Sequence, residues 1–180
     1  EGLTGDHIIV DAKSGISGAG RGTGGSFGYA DVNEDVAAYK VEGHNHQPEM
    51  AQELAALREA PGPKVTFVPH LVPMTRGIHA TCYSPLTKDI SRAQLRELYR
   101  DFYADAPFTN VVDAPPHTKH TLGNNQCLIY PTIDERNGML VTIGVLDNLV
   151  KGAAGQAIEN MNLMLGLPQT MGLDLPAVFP

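Results

Sequence analysis

Two imidazoles and two carboxylates lie in one short stretch of the sequence, 41–49, which reads Val-Glu-Gly-His-Asn-His-Gln-Pro-Glu. His44 and His46 are two positions apart, so both side chains leave the same face if a strand runs on through them. Pro48 suits the first turn of a helix, where its missing N–H costs nothing. Imidazole titrates at about pH 6.5, so such a strand-to-helix junction can transfer protons near neutral pH. Its free helix N–H groups also favour an anionic ligand.

Two predicted elements position this stretch, a strand at 36–42 and a helix at 48–60. The helix carries Met50, Leu54 and Leu57 at helical spacing and stops at a Pro-Gly-Pro sequence. The local order is therefore strand, histidine pair, helix.

A glycine-rich loop at 13–26 follows a short β-branched strand at 7–12. The loop holds six of the nineteen glycines, which indicates close approach of its backbone to a ligand. It contains the spacing G-x-G-x-x-G, but no strand runs straight into it and no amphipathic helix follows. The dinucleotide-binding fingerprint is therefore excluded at this position.

The rest of the chain continues to alternate between strand-like and helix-like patterns. Further strands are predicted at 64–72, 78–86, 108–114, 126–134 and 139–147, and further helices from the capping box at 91–94 to Phe102 and at 148–165. The short link between the first two of these strands predicts an antiparallel neighbour pair. Asn137-Gly138 favours a primed hairpin turn, and the polar segment 115–125 is predicted to be a mobile surface loop.

About seven strands against three helices, joined mainly by hairpin-like links, predict an α+β fold. We expect a mixed, mostly antiparallel sheet of about six to seven strands with helices packed on one face. A chain of 180 residues suits one domain, 1–180, with a substantial core. Glycines within the last helix predict that its backbone packs closely against a neighbour.

Composition limits the classes of function. A net charge of −7 without any Lys/Arg run argues against nucleic-acid binding. No apolar run reaches the roughly 20 residues of a membrane span, and no signal peptide is present, so a soluble protein is expected. Cys82 and Cys127 lack the spacing of a disulfide framework or zinc ribbon, which favours a reducing cytoplasm. The first residue is Glu rather than Met, which indicates a fragment or excised domain.

A zinc site is the metal alternative at the histidine pair. His44, His46, Glu49 and His70 offer the ligand types of an open, catalytic zinc centre. Local H-x-H motifs without a further defined ligand are weak signals, so we predict no metal here.

Four blocks, taken in order along the chain, resemble one enzyme family. They are 10–21 (Val-Asp-Ala-Lys-Ser-Gly-Ile-Ser-Gly-Ala-Gly-Arg), 43–49 (Gly-His-Asn-His-Gln-Pro-Glu), 69–78 (Pro-His-Leu-Val-Pro-Met-Thr-Arg-Gly-Ile) and 147–157 (Asp-Asn-Leu-Val-Lys-Gly-Ala-Ala-Gly-Gln-Ala). The chain resembles the C-terminal substrate and dimerisation half of the N-acetyl-gamma-glutamyl-phosphate reductases of arginine biosynthesis. The related reductases of carrier-bound aminoadipyl phosphate in lysine biosynthesis share these blocks and stay open as an alternative, as does a non-catalytic dimerisation module.

The resemblance implies reduction of a small-molecule acyl phosphate through a cysteine thioester, with NADPH as hydride donor. It makes His44 the acid/base. His46 and Glu49 are supports or substrate contacts, and Arg76 and Arg21 are substrate-binding residues. The cofactor is approached by Ser17, Gly18, Ala19, Gly20 and Asn148.

The resemblance also implies a missing upstream half. The nucleotide-binding domain and the nucleophilic cysteine are absent from the chain, so the isolated chain is expected to be inactive. The last helix, 148–165, is expected to dock on that domain, and a homo-oligomer, dimer or tetramer, is expected.

Overall fold

A computed structural model describes residues 2–20, 28–57 and 62–179 of the chain. The strands in these ranges are β1 (His7–Ser14), β2 (Ala37–Ala38), β3 (Lys64–Leu71), β4 (Ile78–Pro85), β5 (Thr109–Val111), β6 (Cys127–Asp134) and β7 (Met139–Leu146). They form one sheet in the order β2-β3-β1-β4-β7-β6-β5. Two neighbouring pairs, β1–β3 and β5–β6, are parallel and the others are antiparallel. The predicted mixed, mostly antiparallel sheet is confirmed.

The first strand of the chain, β1, lies inside the sheet between β3 and β4. Val10 and Ala12 point to the buried face of β1, whereas Ile9 on the other face stays exposed. Successive side chains of a strand point to opposite faces of the sheet. Buried and exposed residues therefore alternate along a strand that has one covered face.

The short link at 72–77 does not join neighbouring strands, so that prediction was wrong. β3 and β4 do run in opposite directions, but β1 lies between them and bonds to both. A short link limits the distance between the two strands that it joins. It does not show whether an earlier strand of the chain lies between them.

The β6–β7 hairpin is present, but its turn is not of the primed type. Asp134 pairs with Met139, which leaves a four-residue loop in which Gly138 has φ +61° and Asn137 does not have a positive φ. A primed type I turn needs positive φ at both central residues. Asp134 organises the loop instead: it accepts from the side chain of Asn137 at 2.7 Å and the backbone N–H of Arg136 at 3.2 Å. These bonds, the first above all, hold the pKa of Asp134 below its usual value.

The helices are α1 (Tyr29–Val32), α2 (His46–Ala56), α3 (Arg92–Phe102) and α4 (Gly155–Met164). The predicted capping box at the start of α3 is confirmed, because Ser91 and Gln94 bond reciprocally. Leu95 of α3 is fully buried against Ile133 and Leu140. Phe102, at the end of the predicted apolar stripe, is mostly exposed.

Three regions pack on the same face of the sheet. Phe67, Val10, Cys82 and Thr142 form one cross-strand row, so their side chains share a face. The ring of His44, beside α2, contacts Phe67, and Tyr99 of α3 bonds to Thr142 at 3.0 Å. The segment before α4 lies against Leu146, which is on the same face of β7. The opposite face carries Ile9, Asp11, Lys13, His70 and His79.

The predicted strand at 36–42 is reduced to Ala37–Ala38, and this prediction was wrong for most of its length. The chain turns after Tyr39, where Lys40 has a positive φ of 47°. The next helix begins at His46, so Pro48 lies in its first turn as expected but His44 and His46 are not on a strand. The end of the predicted helix, 58–60, lies outside the described residues.

Two later segments also differ from prediction. The segment 148–165 is not one continuous α-helix: Val150–Ala154 is a π-helical turn, and α4 follows it. The polar segment 115–125 is not a surface loop throughout. It forms a 3₁₀ turn at Thr118–Thr121, and Thr121, Asn124 and Asn125 are buried. Composition misled here because polar side chains can be buried once they are hydrogen-bonded.

No helix in the described ranges is long and apolar enough to cross a membrane.

Candidate functional site

His44 lies in a cluster of rings between the turn after β2 and the middle of β3. Its ring centroid is 5.0 Å from that of Phe67, 5.6 Å from that of Tyr39 and 4.8 Å from that of His46. All three contacts are edge-to-face, the arrangement that aromatic quadrupoles favour. His44 is half-buried by this cluster, while His46 and Glu49 are exposed in the first turn of α2.

The surroundings of His44 favour its neutral form. Burial is the main cause that lowers its pKa, and the nearby His46 and Lys40 lower it further. The backbone N–H of His46 also donates to Nδ1 of His44 at 3.2 Å. An imidazolium has donors on both nitrogens and would lose this bond. Nε2 is the ring nitrogen left open to a reacting group.

Asn148 joins three segments at the end of the sheet where β1 and β7 finish and β4 begins. Its Oδ1 accepts from the N–H of Gly77 at 2.7 Å, and its Nδ2 donates to Oγ of Ser17 at 2.9 Å. A Cβ on Gly18 would lie 3.6 Å from the same Nδ2. Ser17, Gly18 and Asn148, predicted separately as cofactor contacts, are therefore neighbours.

The segment that carries Ser17 is a 3₁₀ turn, Ile16–Ala19, fixed to the 72–77 loop. Its backbone N–H groups donate to the carbonyl oxygens of Met74 and Thr75, and Gly15 fits so closely that a Cβ there would lie 2.8 Å from the oxygen of Thr75. Gly20 ends the turn with φ +76°. Arg21, predicted to bind substrate, lies outside the described residues.

Arg76 makes a two-point ion pair with Asp147, whose side chain is fully buried. Its Nη2 lies 2.9 Å from Oδ2 of Asp147, and its Nε donates to Oδ1 at 3.3 Å. Oδ2 also accepts from the N–H of Gly123 at 2.7 Å, and Oδ1 from that of Leu149 at 2.8 Å. Only the fold shows that Asp147 orients Arg76.

The predicted site residues form two groups. One contains His44, His46 and Glu49, and the other contains Arg76, Asn148 and the Ser17–Gly20 segment. Among the described residues, no hydrogen bond or ring contact joins the two groups.

Neither cysteine has the surroundings of a nucleophile. Burial raises the pKa of Cys82 to about 11. Burial also raises the pKa of Cys127, against a smaller lowering effect of Lys151. A reactive thiolate needs the opposite shift.

The alternative of a zinc site at the histidine pair lacks its fourth predicted ligand, His70. His70 lies on the opposite face of the sheet from the ring cluster, where its Nδ1 is 3.2 Å from Oδ1 of Asp11. No group of three or more His, Cys, Asp or Glu side chains in the described ranges is placed to hold a metal ion.

A buried polar network that the sequence did not reveal supports α4. Glu159 accepts from Lys151 at 2.6 Å, Gln169 at 2.7 Å and Asn125 at 3.0 Å. Burial acts to raise the pKa of Glu159, but these bonds outweigh it and the pKa is lowered. The predicted close packing of this helix is correct for Gly155, where a Cβ would overlap Oδ1 of Asn125, and wrong for the exposed Gly152.

The fold and these groups can now be compared with known proteins. Residues 1–148 match the family described as semialdehyde dehydrogenase, dimerisation domain. The chain belongs to this family.

The most similar relatives carry a more specific name. A protein of Dehalococcoides mccartyi (strain ATCC BAA-2100) named N-acetyl-gamma-glutamyl-phosphate reductase is 51% identical over 172 residues, which are 96% of this chain and 50% of that protein. A protein of the same name from Citrifermentans bemidjiense is 52% identical over 176 residues, 96% of this chain and 51% of that protein. The expected resemblance is confirmed, and the chain spans about half the length of the relatives it matches.

Solved structures show the same fold at much lower identity. A probable aspartate-semialdehyde dehydrogenase from Pseudomonas aeruginosa superposes with a TM-score of 0.69 at 16% identity, covering 91% of this chain and 56% of that one. At this identity the likeness supports the fold alone.

Proposed function

We propose that this chain is the substrate-binding and dimerisation half of an NADPH-dependent reductase. The reaction converts N-acetyl-gamma-glutamyl phosphate to N-acetylglutamate semialdehyde and phosphate. The observation that carries this proposal is the 51% identity, across almost the whole chain, to a relative with that name. Because that relative is about twice as long, the nucleophilic cysteine and the nucleotide-binding domain belong to the other half, and this chain alone is inactive.

In this proposal His44 transfers the protons of the reaction. A cysteine thiol loses its proton to Nδ1 of His44, which gives up the bond from the N–H of His46, and the thiolate forms a bond to the acyl carbon as the bond to phosphate breaks. NADPH supplies the hydride when it is bound. The imidazolium then gives a proton from Nε2 to the oxygen of the former acyl group, and regains one as the carbon–sulfur bond breaks. The lowered pKa of His44 supports this role, since a neutral ring is ready to accept a proton.

The remaining predicted residues hold the substrate. His46 and Glu49 support His44 or contact substrate, and Arg76 and Arg21 pair with its anionic groups. The two-point contact with Asp147 supports the assignment of Arg76, because it fixes the plane of the guanidinium and leaves its other N–H groups available.

The group around Asn148 fits a nicotinamide. Nδ2 of Asn148 has two hydrogens, and in the described part of the chain only one is used, in the bond to Ser17. The second can donate to a carboxamide oxygen. Gly18, Ala19 and Gly20 present backbone with little side chain beside it, which allows a ring to approach closely.

The chain also carries contacts between subunits and between domains. The family description, dimerisation domain, and the exposed Ile9 on the outer face of β1 support a homo-oligomer formed through this chain. The exposed apolar side of α4, with Ile158, Met161 and Leu165, supports docking of the nucleotide-binding domain there.

Replacement of His44 tests the proposed function. In the whole reductase, His44→Gln should lower the rate of NADPH-dependent reduction roughly 100- to 10,000-fold, the usual contribution of a general acid–base. His7→Gln, at an exposed histidine on the far end of β1, is the matched control. Wild-type rates in the His44 variant would refute the role of His44.

The choice of substrate is tested in the same assay. Activity only with carrier-linked aminoadipyl phosphate would show that the substrate is that of lysine biosynthesis and not that of arginine biosynthesis. Activity with neither acyl phosphate would refute the proposed function.

A further inference from the structure

A cleft of about 500 Å³ lies beside Arg76, between the 72–77 loop and the 3₁₀ turn Thr118–Thr121. Met74, Thr75 and Arg76 form one wall. Thr118 and Lys119 form the other, and Val178 lies near the C-terminal end of the described chain at the same cleft. Lys119 belongs to the segment 115–125, which the sequence predicts to be a surface loop. The fold places this residue opposite Arg76.

The two walls of the cleft are fixed to each other. Asp147 accepts from Arg76 on one wall and from the N–H of Gly123, next to the other wall, at 2.7 Å. Gly77 packs against Thr118 so closely that a Cβ there would lie 3.0 Å from Cβ of Thr118, and its φ of +116° suits only glycine. The cleft therefore exists before a ligand arrives, and binding need not order its walls.

The charge in the cleft is positive. Asp147 compensates Arg76, whereas Lys119 is exposed and its ammonium group has no hydrogen-bond or ion-pair partner among the described residues. One uncompensated positive charge, the guanidinium of Arg76 and the residues Thr75 and Thr118 thus line the same space. Met74 and Val178 add an apolar part.

We propose that this cleft binds the anionic end of a small acyl compound, and that Lys119 is its second cationic anchor beside Arg76. The ligand class is an oxyanion, carboxylate or phosphate, attached to a short apolar chain. Arg76 supplies planar, oriented donors, and Lys119 supplies a mobile point charge that can follow the anion. The cleft adjoins the Asn148 group through Gly77, so the proposal rests on the proposed function in taking this anion to be part of the acyl phosphate substrate.

Neutralising Lys119 tests the inference in the whole reductase. Lys119→Gln should raise the KM for the acyl phosphate about 10-fold or more, the loss expected for a hydrogen bond to a charged group, with kcat unchanged. Lys64→Gln is the matched control, because Lys64 is exposed at the far end of β3 and makes the same charge change. Unchanged KM in the Lys119 variant overturns the proposal.

Direct binding separates this inference from the proposed function. Inorganic phosphate and N-acetylglutamate are titrated separately into wild-type protein and the Lys119 variant, and chemical shifts of the cleft residues are followed. Loss of the phosphate response assigns the cleft to the phosphate, and loss of the N-acetylglutamate response assigns it to the carboxylate. No response in wild type to either anion refutes the cleft, even if the reductase is active. A response without any reductase activity refutes the proposed function alone.

Discussion

At the scale of single residues, His44 shows how a protein sets the protonation state of an imidazole without a buried ion pair. Phe67 and Tyr39 remove water from the ring, and His46 and Lys40 add positive charge nearby. Each effect penalises the imidazolium, and the first is the largest. A proton acceptor near neutral pH results from packing as much as from charge.

The pKa of His44 should therefore lie below the value of about 6.5 for an unstructured peptide. A group whose pKa is lowered on folding stabilises the native state above its unfolded pKa, and that contribution is lost as pH falls through the folded pKa. Lys40→Gln should raise the pKa of His44 part of the way, because burial by Phe67 remains. An NMR titration of His44 measures both effects.

The control for this titration is Lys88→Gln, which removes the same charge beyond the end of β4 and should leave the His44 titration in place. A midpoint for His44 at or above the peptide value would contradict the packing argument.

At the scale of elements, the junction between β7 and α4 is irregular for a reason that the contacts make clear. The π-helical turn Val150–Ala154 precedes α4. With this turn in place, Gly155 packs against Asn125 and Lys151 donates to Glu159. Such π turns often occur at functional sites. Here the turn directly follows Asp147 and Asn148.

Two glycines in this junction should respond in opposite directions to alanine. Gly155→Ala should destabilise the protein by about 1–3 kcal/mol, because its Cβ would overlap Oδ1 of Asn125 and lie 2.7 Å from the backbone oxygen of Val150. Gly152→Ala should stabilise it by up to about 1 kcal/mol, since its Cβ meets only ordinary contacts and alanine loses less backbone entropy. Urea unfolding of both variants measures the free energies.

If both alanine variants lost similar stability, the cost would belong to the helix backbone rather than to the contact with Asn125. Equal, unchanged stabilities would mean that the junction relaxes enough to admit a methyl group at Gly155.

The sequence predicts elements well where the signal is local. The capping box at Ser91 and Gln94, the strands with period-two alternation and the β6–β7 hairpin all depend on neighbouring residues, and all are present. β2 is shorter than predicted because Val36 and Val41, apolar by type, are exposed at a turn. The place of β1 between β3 and β4 depends on pairings across most of the domain, which no local pattern reports.

The candidate site divides in the same way. Spacing and residue type singled out His44 and His46 as candidates, and resemblance to a family predicted the role of His44 and the residues around Asn148. The link from Asp147 to Arg76 and Gly123 joins three distant segments, so no motif could indicate it. Lys119 lies in the segment that the sequence predicts to be a surface loop, and only the fold shows what it faces.

At the scale of the whole molecule, the domain has two exposed surfaces with different proposed partners. One is the outer face of β1, which includes Ile9, and the other is the outer side of α4, which includes Met161. We propose a second copy of the chain on the first, which agrees with the family description, and the nucleotide-binding domain on the second.

One charged substitution on each surface should separate these roles in the whole reductase. Ile9→Glu should shift the sedimenting species from oligomer towards monomer, because a carboxylate would be buried between two identical faces. Met161→Glu should keep the oligomer but lower the melting temperature, because it weakens contact within one chain. Sedimentation velocity and thermal unfolding give the two measurements.

Each of these two variants is the control for the other. If the oligomer remained intact with Ile9→Glu but dissociated with Met161→Glu, α4 would form the subunit contact and the outer face of β1 would contact the nucleotide-binding domain. If neither substitution dissociated the oligomer, both surfaces would be excluded from the subunit contact.

The central position of β1 has a consequence for how the domain is made. β1 is synthesised before its partners, and its contacts reach 59 residues ahead to Thr66 in β3 and 77 residues ahead to Ser84 in β4. On the ribosome one edge of β1 must therefore remain open until β3 has emerged, and the other until β4 has emerged. The hairpin of β6 and β7, by contrast, closes over four residues and can form at once. The last part of the sheet to be translated is thus the part that can fold fastest. The chain is most exposed to aggregation while the ribosome translates the segment between β1 and β4, because the edges of β1 are still open during that time.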